Sequence, residues 1–383
     1  MTEALHQELS KVRRYLHQFP ELSGHEYQTQ RFLHKRLQEL NAQELLEVGG
    51  TGLLMSFDSG QRGASILLRC DIDALPIQEI NDFAHRSLKD RESHKCGHDG
   101  HATIMLGVAL HFSEHPPAEG KVSLLWQPAE EIGVGARAVV EDEKFRGRHY
   151  DWVYALHNLP GYPLGEVICK PGRFSAGAIS VSIKLFGQTS HAAEPEKGLN
   201  PGESLARIML LAGELTHNNP NSEAFQLITP IYAQMGERSY GVSAGFGECH
   251  FTLRAWSLKK LRKLQDQFMS GVDDLLKNRH LIPEIDWFEE FYPVDNHAAA
   301  VDFLEQLCRG KSYPFRKIKE PFKWTEDVGL IISEHKGALF GLGAGEQSPA
   351  LHNADYDFPD ELIPKGVELF TGLVSKALTA YDQ

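Results

Sequence analysis

Cys96-Gly97-His98-Asp99-Gly100-His101 packs a thiol, two imidazoles and a carboxylate into six residues. Cys96 and His98 stand two apart, so from an extended or turning segment both can reach one metal ion. The apolar run ATIMLGVALHF follows at once and reads as a helix, which places the cluster at or just before a helix N-terminus. The partial positive charge of that end favours a thiolate over a thiol. Taken alone the motif stays ambiguous, because an isolated cysteine is often a small buried hydrophobe. It becomes a metal site only where further ligands converge on it.

Four other places in the chain offer them. In ASILLRCDIDALPI a short apolar run, Ile66 to Leu68, predicts a buried strand with Asp71 and Asp73 at its C-terminal end, projecting to the same side. Those carboxylates suit metal binding or the orientation of a ligand histidine, or they cap the following turn. In KVSLLWQPAEE a second short strand is broken by Pro128 and followed directly by Glu130 and Glu131. One of an adjacent pair can bind metal while the other moves protons, although an acidic doublet at a helix N-terminus looks the same. His157 ends the strand in YDWVYALHNLPG, and His352 lies in a loop beyond the strand GALFGLGAG. All of these fall at or just past the C-terminal end of a short apolar strand, the place where open α/β sheets bind ligands. Histidines scattered through a core by chance would not respect that rule. The pattern points to a metal site built from Cys96, His98, Glu131, His157 and His352.

The elements that must carry these residues divide into two kinds. Residues 1–174 alternate amphipathic helices with short apolar strands, beginning with a helix over residues 2–19 that ends at Pro20. On that helix and the next, Arg13, Arg14, His17 and His34 read as solvated-face residues without a role. Residues 175–292 change style and run strand, helix, strand, strand, helix, strand. That βαββαβ order describes an α+β unit of its own, inserted into the chain. Residues 293–383 then resume the first pattern. The expected fold is an α/β domain with a central, mostly parallel sheet flanked by helices, over residues 1–174 and 293–383, with a second domain over 175–292.

The 39 basic against 52 acidic residues give a formal charge of −13, which argues against nucleic acid or an anionic membrane as a partner. Five cysteines without dense spacing fit a reducing compartment. No apolar leader core and no stretch of membrane-spanning length is visible, so a soluble, cytoplasmic protein is expected.

Taken together, RRYLHQFPELSGHE, LLRCDIDALPIQE, HKCGHDGHATIMLG, LLWQPAEEIGVGA, ALHNLPGYPLGEV, FGQTSHAAEPEKG and LHNADYDFPDE run along nearly the whole chain. They resemble the metal-dependent aminoacylase/carboxypeptidase superfamily, in its branch of hippurate hydrolases and indole-acetyl amino acid amidohydrolases. The resemblance implies a catalytic domain with a two-metal site and an inserted lid domain that also forms a homodimer. It implies Cys96, His98, Glu131, His157 and His352 as metal ligands, with Glu130 as general base. Asp73 would orient a ligand, with Asp71 in support, and His191 of the lid would stabilise the oxyanion from the partner subunit. The implied substrate is a small N-acyl amino acid or related amide. Zn, Mn, Co and Ni all suit a set of thiolate, imidazole and carboxylate.

Two positions depart from the family. Its lid usually carries Asn-Xaa-Ile-Pro, where the Asn helps hold substrate, and the equivalent stretch here is Tyr240-Gly241-Val242-Ser243-Ala244. Arg254, ending the next lid strand, is a candidate carboxylate contact, or an ordinary strand arginine. Lys95 stands where the family usually has Ala, and its charge is expected to point away from the ligands. A metallo-dipeptidase or carboxypeptidase is the alternative within the enzyme class. A catalytically silent metal-binding relative is the alternative outside it, and the intact Glu130 argues against that. A Cys96 nucleophile would need a His–Cys pair clear of metal, which the surplus of nearby ligands disfavours.

Overall fold

The computed structural model describes residues 1–379, which form two compact units. The first comprises Met1–Phe174, Val294–Lys319 and the chain from Asp327 onward; the second comprises Ser175–Pro293 and Glu320–Glu326.

An eight-stranded mixed sheet forms the first unit, in the order Glu44–Val48, Gly52–Asp58, Lys121–Gln127, Ser65–Asp71, Trp152–Leu159, Gly337–Gly343, Val167–Cys169, Phe315–Lys317. The four central strands, from Lys121–Gln127 to Gly337–Gly343, run parallel, and antiparallel pairings join them to the strands on either side. Parallel strands are covered on both faces, which is why SILLRCD and KVSLLWQ are buried along nearly their whole length. The helix His98–Glu114 packs on the Ser65–Asp71 strand and against the helices Glu3–Gln18 and Leu362–Thr379. Met105, Leu106, Val108 and Phe370 belong to the core between them.

The second unit is a four-stranded antiparallel sheet in the order Gln226–Met235, Phe246–Ala255, Gly177–Phe186, Ile282–Phe291. Helices Gly202–Glu214 and Leu258–Leu276 pack on it, and Ile183, Phe251, Leu253, Ile208, Leu264 and Phe268 make a separate core. The Phe246–Ala255 strand alternates strictly between half-buried and buried residues, as one covered face requires. Strand and helix order are those that the sequence predicts.

One segment departs from its expected place. Residues 320–326, expected with the first domain, group with the second unit. Phe322 forms a backbone bridge to Ser175, accepts a hydrogen bond from the Ala176 N–H and stacks on Trp324. Among the described residues no helix is long and apolar enough to cross a membrane.

Candidate metal centre and active site

Glu131, His157 and His352 arrive from the carboxyl end of a central strand or from the loop beyond it, and Cys96 and His98 from the start of a helix. The helix His98–Glu114 starts at His98, with Gly97 as its N-cap at φ +94. A side chain there would be strained, and a Cβ would also lie 2.4 Å from Asn158 Oδ1, so glycine is what lets Cys96 and His98 turn in together. Ala129, just before the glutamate pair, and His352 hold φ values of +49 and +65. Non-glycine residues persist there only where their surroundings fix them, a feature that concentrates at functional sites.

Hydrogen bonds settle how each ring is presented. His98 Nδ1 lies 3.0 Å from the Asp73 carbonyl and 3.1 Å from Asp73 Oδ1. It therefore donates there, and Nε2 is the nitrogen left to hold either a second proton or a metal ion. The His157 Nδ1–H donates to the Asn158 carbonyl at 2.8 Å, and Nε2 faces Cys96 Sγ at 3.4 Å. His101, about one helical turn after His98, is different: Nδ1 donates to Asp71 Oδ1 at 2.6 Å while Nε2 accepts the Asn158 N–H at 3.3 Å. With both nitrogens committed, His101 positions its neighbours and is not a ligand.

Groups able to hold an ion include Cys96, His98 and His157; Cys96, Glu131 and His352; and His98, Glu130 and Glu131. Within them His98 Nε2 and Glu131 Oε1 are buried without a hydrogen-bond partner, 3.8 Å apart. Leaving both unpaired is costly, whereas two ligands each about 2.1 Å from one ion sit at such a separation. His352 Nε2 lies 3.5 Å from Glu131 Oε2. The donor set fits divalent metal.

The electrostatics favour positive charge at the centre, whether from protons or from a metal ion. Burial works against charge on His98, but Asp71, then Asp73 and Glu131, outweigh it and hold the imidazole well above its ordinary range. Burial pushes Glu131 up to about 7 against the pull of His98. Burial and the neighbouring His101 drive His157 well below its usual value, leaving it neutral. Asp73 stays ionised despite burial because His98, Ser23 and the Glu131 N–H all bond to it, the last two at 2.7 and 3.0 Å. It thereby fixes two candidate ligands, one at the start of a helix and one in the turn after a strand.

Glu130 is buried, and its Oε1 accepts the Asp327 N–H at 3.3 Å. Asp327 is the centre of a network that sequence reasoning left without a role. Its carboxylate takes Arg69 Nη2 at 2.8 Å, Gln127 Nε2 at 2.7 Å and the Ala136 N–H at 2.8 Å, while Arg69 Nη1 reaches Asp71 at 2.6 Å. The signal available was an arginine inside an otherwise apolar strand.

Arg13 and His17, read as solvated, are buried. His17 Nδ1 lies 2.8 Å from Asp99 and Nε2 3.1 Å from Glu79; Arg13 reaches Asp357 at 2.7 Å and Asp360 at 2.6 Å. Four carboxylates from distant segments take these cations out of water. Lys95 points away from the ligands, as expected, but into the interior.

The other two candidates belong to the second unit. His191 is exposed, in a two-stranded ribbon where Ser190–His191 pairs with Val242–Ser243, so the departing 240–244 stretch is its direct neighbour. Arg254 is half-buried on the strand face away from the unit's core and donates to the Lys323 carbonyl at 3.1 Å.

The model of peptidase family M20/M25/M40 matches residues 67–376. The N-acetyldiaminopimelate deacetylase of Ligilactobacillus salivarius is 30% identical over 377 residues, 95% of this chain and 96% of that protein. The hippurate hydrolase of Campylobacter jejuni is 27% identical over 384 residues, 97% of each chain. The crystal structure of Bacillus subtilis YXEP, described as a dinuclear metal binding peptidase, superposes with a TM-score of 0.81 at 24% identity, covering 100% of this chain and 99% of that one.

Proposed function

The chain belongs to peptidase family M20/M25/M40, and from that premise we propose that it cleaves the amide bond of small N-acyl amino acids. The carrying observation is the pair of buried, unbonded ligand atoms, His98 Nε2 and Glu131 Oε1, beside a buried Glu130. Similarity along the full chain to a deacetylase and to a hippurate hydrolase supports amide hydrolysis and leaves the acyl group open.

Cys96, His98, Glu131, His157 and His352 are the proposed ligands of two divalent ions. When bound, such ions supply Lewis acidity toward the scissile carbonyl and acidify a water at the site. Glu130 takes a proton from the attacking water and returns it to the leaving amine. The Asp327 N–H holds one oxygen of that carboxylate at 3.3 Å. Asp73 keeps the His98 ring turned so that Nε2 points inward. His191 is the proposed donor to the tetrahedral oxyanion, in the site of the partner subunit.

We further propose that the second unit forms the homodimer. Its edge strand Gln226–Met235 is exposed along most of its length, and Ile231 and Met235 stand clear of the core with Leu210 of the adjacent helix. An unpaired apolar edge is a template for a second strand.

Amino-acid release from N-acetyl, N-benzoyl and longer N-acyl amino acids, with Mn, Zn, Co or Ni loaded in turn, tests the function. Release from acylated substrates without a free α-amine supports it. Activity confined to free dipeptides would assign the centre to a dipeptidase instead, and metal binding with no release from either class would mark a silent relative.

A further inference from the structure

Lys95 is fully buried beside Cys96, a setting in which lysine is stable only when its charge is matched. Its ammonium donates to Glu79 Oε1 at 2.5 Å and to the Tyr356 carbonyl at 2.8 Å. Its own carbonyl accepts the His352 N–H at 2.8 Å. One residue therefore grips both ends of the segment from His352 to Tyr356. Glu79 is itself fixed by His17 and by the Ser87 N–H. The residues after Glu79 continue the seam: the Ile80 N–H reaches the Ala354 carbonyl and Asn81 Nδ2 the Asp355 carbonyl, both at 3.2 Å.

His352 needs such support. Its φ of +65 is uncommon for a residue other than glycine, and its ring is half-exposed. We propose that Lys95, paired with Glu79, is a positioning residue that holds the His352 loop against the Cys96 segment and so builds the metal position shared by Cys96, Glu131 and His352. An alanine at 95 would supply the carbonyl but not the ammonium. The inference rests on the metal-centre reading given above. It adds an asymmetry, since His98 and His157 hang on Asp73 and Asn158 and take no hydrogen bond from the Lys95 ammonium.

The test is titration of metal-free, full-length protein with Co(II). Binding is followed by the thiolate-to-cobalt charge-transfer absorption and by counting metal after gel filtration. Parent, His352→Ala, Lys95→Met and the charge-neutral double variant Lys95→Met/Glu79→Gln are compared. The double variant guards against misfolding caused by the charge imbalance that Lys95→Met alone leaves at buried Glu79. His352→Ala identifies the equivalent that depends on His352. In both Lys95 variants that equivalent should weaken by about 10- to 100-fold, while the other keeps the parent affinity. Amide exchange of metal-free protein should rise across residues 350–358 and stay unchanged in the helix 98–114. Two outcomes overturn the proposal: parent-like binding of both equivalents, or equal weakening of both, which is what general destabilisation gives. A parent that binds no cobalt would overturn the metal-centre reading itself and this proposal with it.

Discussion

At the carboxyl edge of the eight-stranded sheet, His98 is turned by Asp73, His157 by the Asn158 carbonyl and His101 by Asp71, all out of water. Around His191 the paired strands are two residues long, the Ala192 N–H bonds to the Gly241 carbonyl, and Tyr240 is 98% exposed. In the first region buried side chains fix one another, so each residue type is dictated by its neighbours. In the second, backbone bonds hold the chain and side chains face solvent, so residue types are free to change while the ribbon persists. A site whose chemistry is shared and whose substrate varies is built that way. Under the proposed function the reaction rests on the first region together with His191, and the freer residues around His191 are left to choose the substrate.

The contrast would break most visibly at Glu130. Glu130→Gln keeps the shape and the hydrogen bond from the Asp327 N–H but cannot take a proton. Turnover should fall by about 10²- to 10⁴-fold, with cobalt stoichiometry and unfolding midpoint as in the parent. Loss of metal together with activity would place Glu130 among the ligands and leave the proton transfer without an owner.

The buried network behind the ligands gives the next largest effect, and it is one of stability. Burial opposes charge on His17, but the hydrogen bonds to Asp99 and Glu79 win and raise its pKa to about 9. A raised folded-state value stabilises below the unfolded pKa, near 6.5, and that stability is lost as pH climbs through 9. The shift corresponds to something on the order of 3 kcal/mol. Urea unfolding of the parent should weaken between pH 6.5 and 9.5, and His17→Leu, less stable throughout, should lack that slope. The same pH slope in His17→Leu would assign the loss to another group.

Asp73→Asn probes the grip on a ligand directly. The amide can no longer serve the His98 Nδ1–H, Ser23 and the Glu131 N–H as a carboxylate does. Cobalt affinity should drop about 10- to 100-fold, measured by equilibrium dialysis. An unchanged affinity would mean that packing alone orients His98.

How much of this the sequence carried follows the same division. The convergence of Cys96, His98, Glu131, His157 and His352 was legible because short apolar strands end in carboxylates and imidazoles, a local pattern that a sheet edge converts into proximity. The βαββαβ order of the second unit was legible from periodicity. Arg13 and His17 were not: they sit at i, i+4 beside Val12 and Leu16, and only carboxylates from residues 79, 99, 357 and 360 widen the buried face to include them. Arg69 and Asp327 pair across 258 positions, a distance over which no spacing rule operates. Residues 320–326 join the second unit through backbone pairing of Phe322, which composition does not encode.

The smallest predicted effect tests the second region. Beside the His191 ribbon lies a cavity of about 600 Å³ whose lining includes Gln188, Gln234, Glu237, Ser239 and Val242, and neither lysine nor arginine. A carboxylate settling there would find no cation, in contrast to the amides and hydroxyls available to a neutral polar group. Tyr240→Ala and Val242→Ala remove apolar surface from the same stretch without touching a buried partner. Each should raise KM for the preferred substrate by about 3- to 10-fold, the worth of one modest apolar contact, and leave kcat, metal content and unfolding alone. A rise in KM at constant kcat is the signature of binding felt equally before and during reaction. A fall in kcat would show instead that this corner takes part in the transition state, and the separation between reaction and recognition would have to be redrawn with Tyr240 or Val242 on the side of His191.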